Sequence, residues 1–347
     1  MYQVNWEAIQ ERYREFWARE NHDRPLVMLS GRKGKMKNVP RPDTMEKCWL
    51  DTEYVIRNFR AQMEDTVYFG ESYPRLDPNL GPDIFGASYG CNLVFEESTS
   101  FSVPFVEDWE TFPPLQFDEE NPWWKKILQM TRDIADDAKG EYFVGITDLH
   151  PGTDGLVSLR GPENLCMDLY DCPEQIVPRT KELLTGFCRQ LELLYQETTR
   201  NLPGSSNWMG IWHPDKWYVT SSDFSGMLSE EMYEEFVLPE LLEECRALGG
   251  NTIYHLDGPG ALKHLDRLLE IPEIAGIQWV YGAGQPTASH WIEVYQKIQK
   301  AGKLIHTYVV PEDIDVLLEE LKPEGVCLTV DGTFTEEEAR EIMKKFE

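Results

Sequence analysis

The residues best suited to chemistry sit in one stretch, Thr252-Ile253-Tyr254-His255-Leu256-Asp257-Gly258. A β-branched, apolar run ends in His, Asp and Gly, and a helical pattern starts near Pro259. This reads as a buried strand whose C-terminal end delivers two side chains, with Gly258 turning the chain away. His255 and Asp257 are two residues apart, so they project from one face of the strand. An imidazole and a carboxylate placed in this way suit a divalent metal or proton exchange with a substrate. The structural alternative is that Asp257 caps the helix that follows.

Other polar residues also fall at the ends of apolar runs. Asp148 and His150 follow Tyr142–Ile146, with Asp154 in the same Gly/Pro-containing loop. His213 follows Trp208–Ile211, Asp223 follows Tyr218–Thr220, and Asp331 follows Val326–Val330. Gln278 and His306 lie within two late strands. Asp148 and Asp223 join His255 and Asp257 as candidate acid/base residues. His150, Trp212, His213, Gln278, Trp279 and His306 are candidates for contact with a substrate. Trp208, Trp212, Trp217 and Trp279 would wall a pocket for a flat or apolar molecule, or else pack the core. Arg32, in the compact basic run Gly31–Lys35, is a candidate anion clamp or part of a lid, against the simpler reading of a flexible loop.

The elements that must position these groups alternate. Strands at about 25–29, 142–146, 208–211, 218–220, 252–255, 277–280, 304–307 and 326–330 are separated by helices of ten to twenty residues, the pattern of βαβ units and a parallel sheet. No GxGxxG turn follows an early strand, which argues against an open dinucleotide-binding sheet. Polar strand ends contributed from all along the chain favour a (β/α)8 TIM barrel with its site at the C-terminal face. Residues 1–65 read as an N-terminal helical extension of the same domain, with Trp6, Ile9, Tyr13, Phe16 and Trp17 on one helical face. Residues 66–347 read as the barrel. Within them, 67–123 is a long, irregular capping segment rich in Gly, Pro and Asp.

Composition narrows the partners. The 347 residues carry 61 acidic and 33 basic side chains, a net charge of -28. A field of that sign repels polyphosphate, which excludes nucleic acid and anionic membrane surfaces as expected partners. The seven Cys form no CxxC and read as free thiols. The start reads as an amphipathic helix with no signal-peptide core, and no apolar run approaches a membrane span. A cytoplasmic enzyme, and a homodimer as one option for its assembly, are the expectations.

The block SSDFSGMLSEEMYEEFVLPELLEECRALGGNTIYHLDG resembles the central block of the uroporphyrinogen decarboxylase superfamily. There an Asp-bearing strand end precedes a Ser-capped helix with Phe-x-x-Pro (Phe236 to Pro239), then a strand ending in His. LRGPENLCMDLYDCPEQI and LDRLLEIPEIAGIQW resemble the helix pairs on either side. The resemblance covers about residues 140–347 and more loosely 20–140, and it implies a TIM barrel. It also implies one of two activities, porphyrinogen decarboxylation or methyl transfer involving a corrinoid protein. The decarboxylases grip substrate carboxylates with an Arg-rich segment after the first strand, where MLSGRKG keeps Arg32 and Lys33. The methyltransferases hold zinc with His-x-Cys and a late Cys-Gly. The matching positions here are His255, Asp257 and Asp331, a set for Zn2+ or a harder divalent metal. The expected function is a component that demethylates a small methylated substrate and passes the methyl group to a corrinoid supplied by a partner protein. The alternatives are a decarboxylase or lyase of another small carboxylate, with Arg32 or Arg160 holding it, and a non-catalytic ligand- or corrinoid-binding barrel.

Overall fold

In the computed structural model, which describes residues 1–347, the apolar runs assemble into a central sheet covered by the helices between them. The strands in chain order are β1 (Leu26–Arg32), β2 (Thr66–Gly70), β3 (Arg75–Leu76), β4 (Asn92–Phe95), β5 (Ser100–Val103), β6 (Phe143–Val144), β7 (Tyr218–Ser221), β8 (Thr252–Asp257), β9 (Gly276–Val280), β10 (Leu304–Val309) and β11 (Val326–Val330). Seven of them pair in the order β2-β1-β11-β10-β9-β8-β7. Six of these run parallel, and β2 lies antiparallel to β1 at one edge.

The predicted parallel sheet with helical crossovers is therefore present. Its hydrogen-bonded ladder ends at β2 and β7. β3 and β6 form a separate parallel pair, and a parallel bridge joins Ile146 to Asn207. The first strand, which lies in the 1–65 segment, is a member of the sheet. The segment 67–123, predicted to be irregular, contains most of β2, all of β3 and the antiparallel hairpin β4–β5. Trp208–Ile211, predicted as a strand, is not one.

Local sequence explains several boundaries. Asn121 accepts the N–H groups of Trp123 and Trp124, and Pro122 takes the first turn of the helix that runs to Ala138. Thr335 and Glu338 form a capping box for the helix Glu336–Met343. The helix predicted over 230–248 is broken by a π-turn at Tyr233–Val237. Pro239 has no N–H to return to the carbonyl of Glu235, so the chain widens there.

The N-terminal helix Trp6–Ala18 buries Ile9, Tyr13 and Phe16. They join a core that holds Leu26, Trp217, Ile253 and Leu304, residues within one position of the starts of β1, β7, β8 and β10. The helix thus covers the N-terminal ends of the strands and leaves the C-terminal ends to the site. No helix is long and apolar enough to cross a membrane.

Candidate functional site

Asp257 is the last residue of β8 and His255 lies two before it, and Gly258 bends away with φ of 75°. Asp223 follows β7, the strand paired with β8. One ligand atom from each of Asp223, His255 and Asp257 lies within 4.8 Å of the others. The Nε2 of His255 is 3.7 Å from Asp223 Oδ1. Asp257 does not cap the next helix, whose N-cap is Gly258 and has no side-chain partner.

Behind His255 runs a row of side chains at matched register. Gln278 on β9 sits opposite His255, and His306 on β10 sits opposite Gln278. His255 Nδ1 faces Gln278 Oε1 at 2.5 Å, Gln278 Nε2 faces His306 Nδ1 at 2.9 Å, and His306 Nε2 faces Thr329 Oγ1 at 2.8 Å. An amide oxygen only accepts and an amide nitrogen only donates, so one assignment satisfies the row. His255 donates from Nδ1, and His306 accepts at Nδ1 and donates from Nε2. His306 is fully buried; burial, helped by the neighbouring His255, pushes its pKa down to about 3 and keeps it neutral. His255 therefore turns Nε2, the nitrogen not engaged by Gln278, toward Asp223. An imidazole oriented by a hydrogen bond at its other nitrogen, with two carboxylates close by, fits a divalent cation with coordination positions left open.

A second group adjoins the first. His150 Nε2 lies 2.9 Å from Asp148 Oδ1 as an ion pair, and its Nδ1 lies 3.0 Å from Ser221 Oγ at the end of β7. Burial works against a charged imidazole here, but the carboxylate of Asp148, with those of Asp154 and Asp223, outweighs it and raises His150 to about 10. Asp154 accepts the backbone N–H groups of Asp223 (2.9 Å) and Phe224 (3.0 Å), which fixes the turn carrying Asp223. Burial and the charge of Asp223 raise Asp154 to about 6. His150, Asp154, Asp223, Phe224 and Met227 border a cleft of about 340 Å3.

Several predicted site residues lie elsewhere. Trp212 and His213 are at the opposite end of the molecule. Gly210, with φ of 85°, turns the chain, and His213 doubles back to pair with Ser205 through two 2.9 Å backbone hydrogen bonds. Trp212 then packs edge-on against Trp6, and His213 against Trp17 of the N-terminal helix. Trp279 is buried on the outer face of β9 against Trp291, because it is one residue from the inward-facing Gln278. Asp331 is exposed and outside the convergent triad. It follows β11, three strand spacings from β8, on the order of 14 Å along the sheet, whereas Asp223 follows the adjacent strand. Arg32 is exposed at the end of β1, where it reaches Thr66 Oγ1 at 3.4 Å. Arg160 is held by both oxygens of Asp168 at 2.7 and 2.9 Å, a structural pairing.

The structure also brings in residues the sequence reading passed over. Trp208, read only as one of a Trp cluster, packs edge-on against His255 with ring centroids 5.2 Å apart. Arg75 pairs with Asp77 at 2.9 Å and borders a second cleft of about 270 Å3 beside Trp208. Arg75-x-Asp77 has the same spacing of two as His255-x-Asp257, which was its available signal. Glu240 and Glu244, one helical turn apart, are both buried, Glu240 beneath Gly152, and each leaves its Oε1 without a partner.

Comparison of the sequence with protein-family models and with curated proteins finds no match. Among solved structures, the fold is similar to that of a methyltransferase from Methanosarcina mazei, with a TM-score of 0.65 at 11% identity over 97% of this chain and 98% of that one. A 3-dehydroquinate dehydratase from Geobacillus kaustophilus HTA426 overlaps with a TM-score of 0.30 at 12% identity, over 63% of this chain and 85% of that one, too slight a likeness to inform the fold. The chain shares the overall fold of the archaeal methyltransferase.

Proposed function

We propose that this chain is a methyltransferase of the uroporphyrinogen decarboxylase superfamily. In this reading it removes the methyl group from a small methylated substrate and passes it to a corrinoid on a separate protein. The observation that carries the reading is the convergence of Asp223, His255 and Asp257 at two adjacent strand ends, with the free Nε2 of His255 turned toward Asp223. The likeness of fold to a methyltransferase supports it. So does the arrangement of β3, β6 and the Ile146–Asn207 bridge apart from the main ladder, which we read as the remaining staves of a (β/α)8 barrel.

Asp223, His255 and Asp257 would hold a divalent metal such as Zn2+, which supplies Lewis acidity toward the substrate heteroatom when bound. The chain's own residues supply the rest. Gln278 fixes the His255 ring, Asp154 fixes the turn bearing Asp223, and the Trp208 edge shields one side of His255 from water. The bond from the heteroatom to the methyl carbon breaks with its electron pair left on the heteroatom, while a nucleophilic acceptor supplies the pair for the new bond. The heteroatom then takes up a proton. His150, held charged by Asp148 in the adjoining cleft, is the residue suited to supply it.

The test has two parts. Protein loaded with Zn2+ and desalted is expected to carry about one equivalent by emission spectrometry, and His255→Ala to carry none. A panel of O-, N- and S-methyl compounds is then offered with reduced free cobalamin, and methyl transfer is followed by visible absorbance. Protein with neither stoichiometric metal nor transfer from any compound would end this reading.

A further inference from the structure

We propose that the cleft bordered by Arg75 receives the anionic head of the substrate, a carboxylate or sulfonate, while the methyl-bearing end lies at Asp223, His255 and Asp257. This rests on the function proposed above and names the class of substrate for it.

Among the residues lining this cleft of about 270 Å3, Arg75 is the one charged group. The polar remainder is hydroxyls, among them Ser30, Tyr68, Tyr308 and Thr329. In a chain of net charge -28, a cleft whose single charge is a guanidinium is a local reversal of the field.

The donors of Arg75 are under-used. Nη2 meets Asp77 Oδ2 at 2.9 Å and the carbonyl of Trp208 at 3.2 Å. Nη1 has only Ser206 Oγ, at the long distance of 3.5 Å, and Nε is buried with no partner. Asp77 holds the guanidinium from the side of Gly145, where an added Cβ would fall 1.7 Å from Asp77 Oδ1. Nη1 faces the other way. An added Cβ on Gly210 would fall 2.8 Å from it and 3.3 Å from Met28 Sδ, and both Gly210 and Met28 line the cleft. Nη1 therefore keeps a charged donor directed to the cleft, which suits an oxyanion as a charge-assisted partner. Asp77 orients the arginine through Nη2 and leaves Nη1 uncovered.

The cleft lies beside the metal-competent triad. Trp208 lines it and packs against His255, and Thr329 lines it and closes the His255-Gln278-His306 row.

Calorimetric titration of the metal-free full chain with acetate, methanesulfonate and inorganic phosphate, against neutral acetamide, tests the inference. The monoanions are expected to bind in the millimolar range and acetamide about tenfold more weakly or worse. The ranking of carboxylate, sulfonate and phosphate identifies the head group. Arg75→Met and Ser30→Asp, each checked for a native circular dichroism melt, are expected to weaken acetate about tenfold or more. The second variant sets a carboxylate in the cleft without altering Arg75, so the result survives if the first does not fold. His255→Ala should bind acetate as the parent does, which separates this result from the metal reading. Equal binding of acetate and acetamide, or parental acetate binding in both folded variants, would overturn the proposal.

Discussion

His255 Nδ1 and Gln278 Oε1 lie 2.5 Å apart across a register pair of β8 and β9, so a neutral amide decides which imidazole nitrogen is free. Gln278→Leu keeps all three candidate ligands and removes only this orientation. Its Zn2+ affinity, measured by competition with a chromogenic chelator, is expected to fall about 10- to 100-fold. The same change strands His306 Nδ1, at a stability cost of about 1–3 kcal/mol readable by urea titration.

Glu240 and Glu244 are 4% and 1% exposed, and no basic side chain pairs with either. Their facing charges are carboxylates, Asp154 for both and Glu243 for Glu240. Burial raises both, Glu240 to about 8 from the usual 4.5. The native state therefore keeps protons that the unfolded chain has released, and stability declines as pH rises from about 4.5 through about 8, being fully present below that window. His150, raised from 6.5 to about 10, adds a decline of the same sign between those values. Urea unfolding at one-unit steps from pH 5 to 9 is expected to show the slope. Glu244→Gln should flatten the slope across the range, and Asp148→Asn should flatten it above about pH 6.5.

Trp212→Ala separates packing from function. Trp212 is 1% exposed, donates its indole N–H to the carbonyl of Pro203 at 3.1 Å and packs on Trp6. Its removal is expected to cost about 3–5 kcal/mol while Zn2+ affinity stays at the parental value. A changed affinity at unchanged stability would return Trp212 to the site.

The legibility of the sequence followed periodicity. β8 to β11 and the helices between them showed in alternating apolar runs, and His255 and Asp257 showed in their spacing of two. Asp223 was marked, but as an acid/base group rather than as the partner of His255. Which strand lies beside β8 is a matter of topology, and local pattern does not encode it. Asp331 was named as the third ligand because it matches the late Cys-Gly of the resembling methyltransferases, a correspondence that carries no information on which strand neighbours β8. Trp212 and His213 were misplaced because Gly210 reverses the chain within a run that looks like a strand. Arg75 stayed hidden because β3 is only two residues long, too short for any period to register.

The helix Trp6–Ala18 has a consequence for synthesis. Its apolar face is completed by Trp212, His213 and Trp217, about two hundred residues downstream. During translation it leaves the ribosome long before that surface exists, so its aromatic stripe must wait in water or in the grip of a chaperone. The helix is thus made well before Trp212, His213 and Trp217, the residues that complete its docking surface.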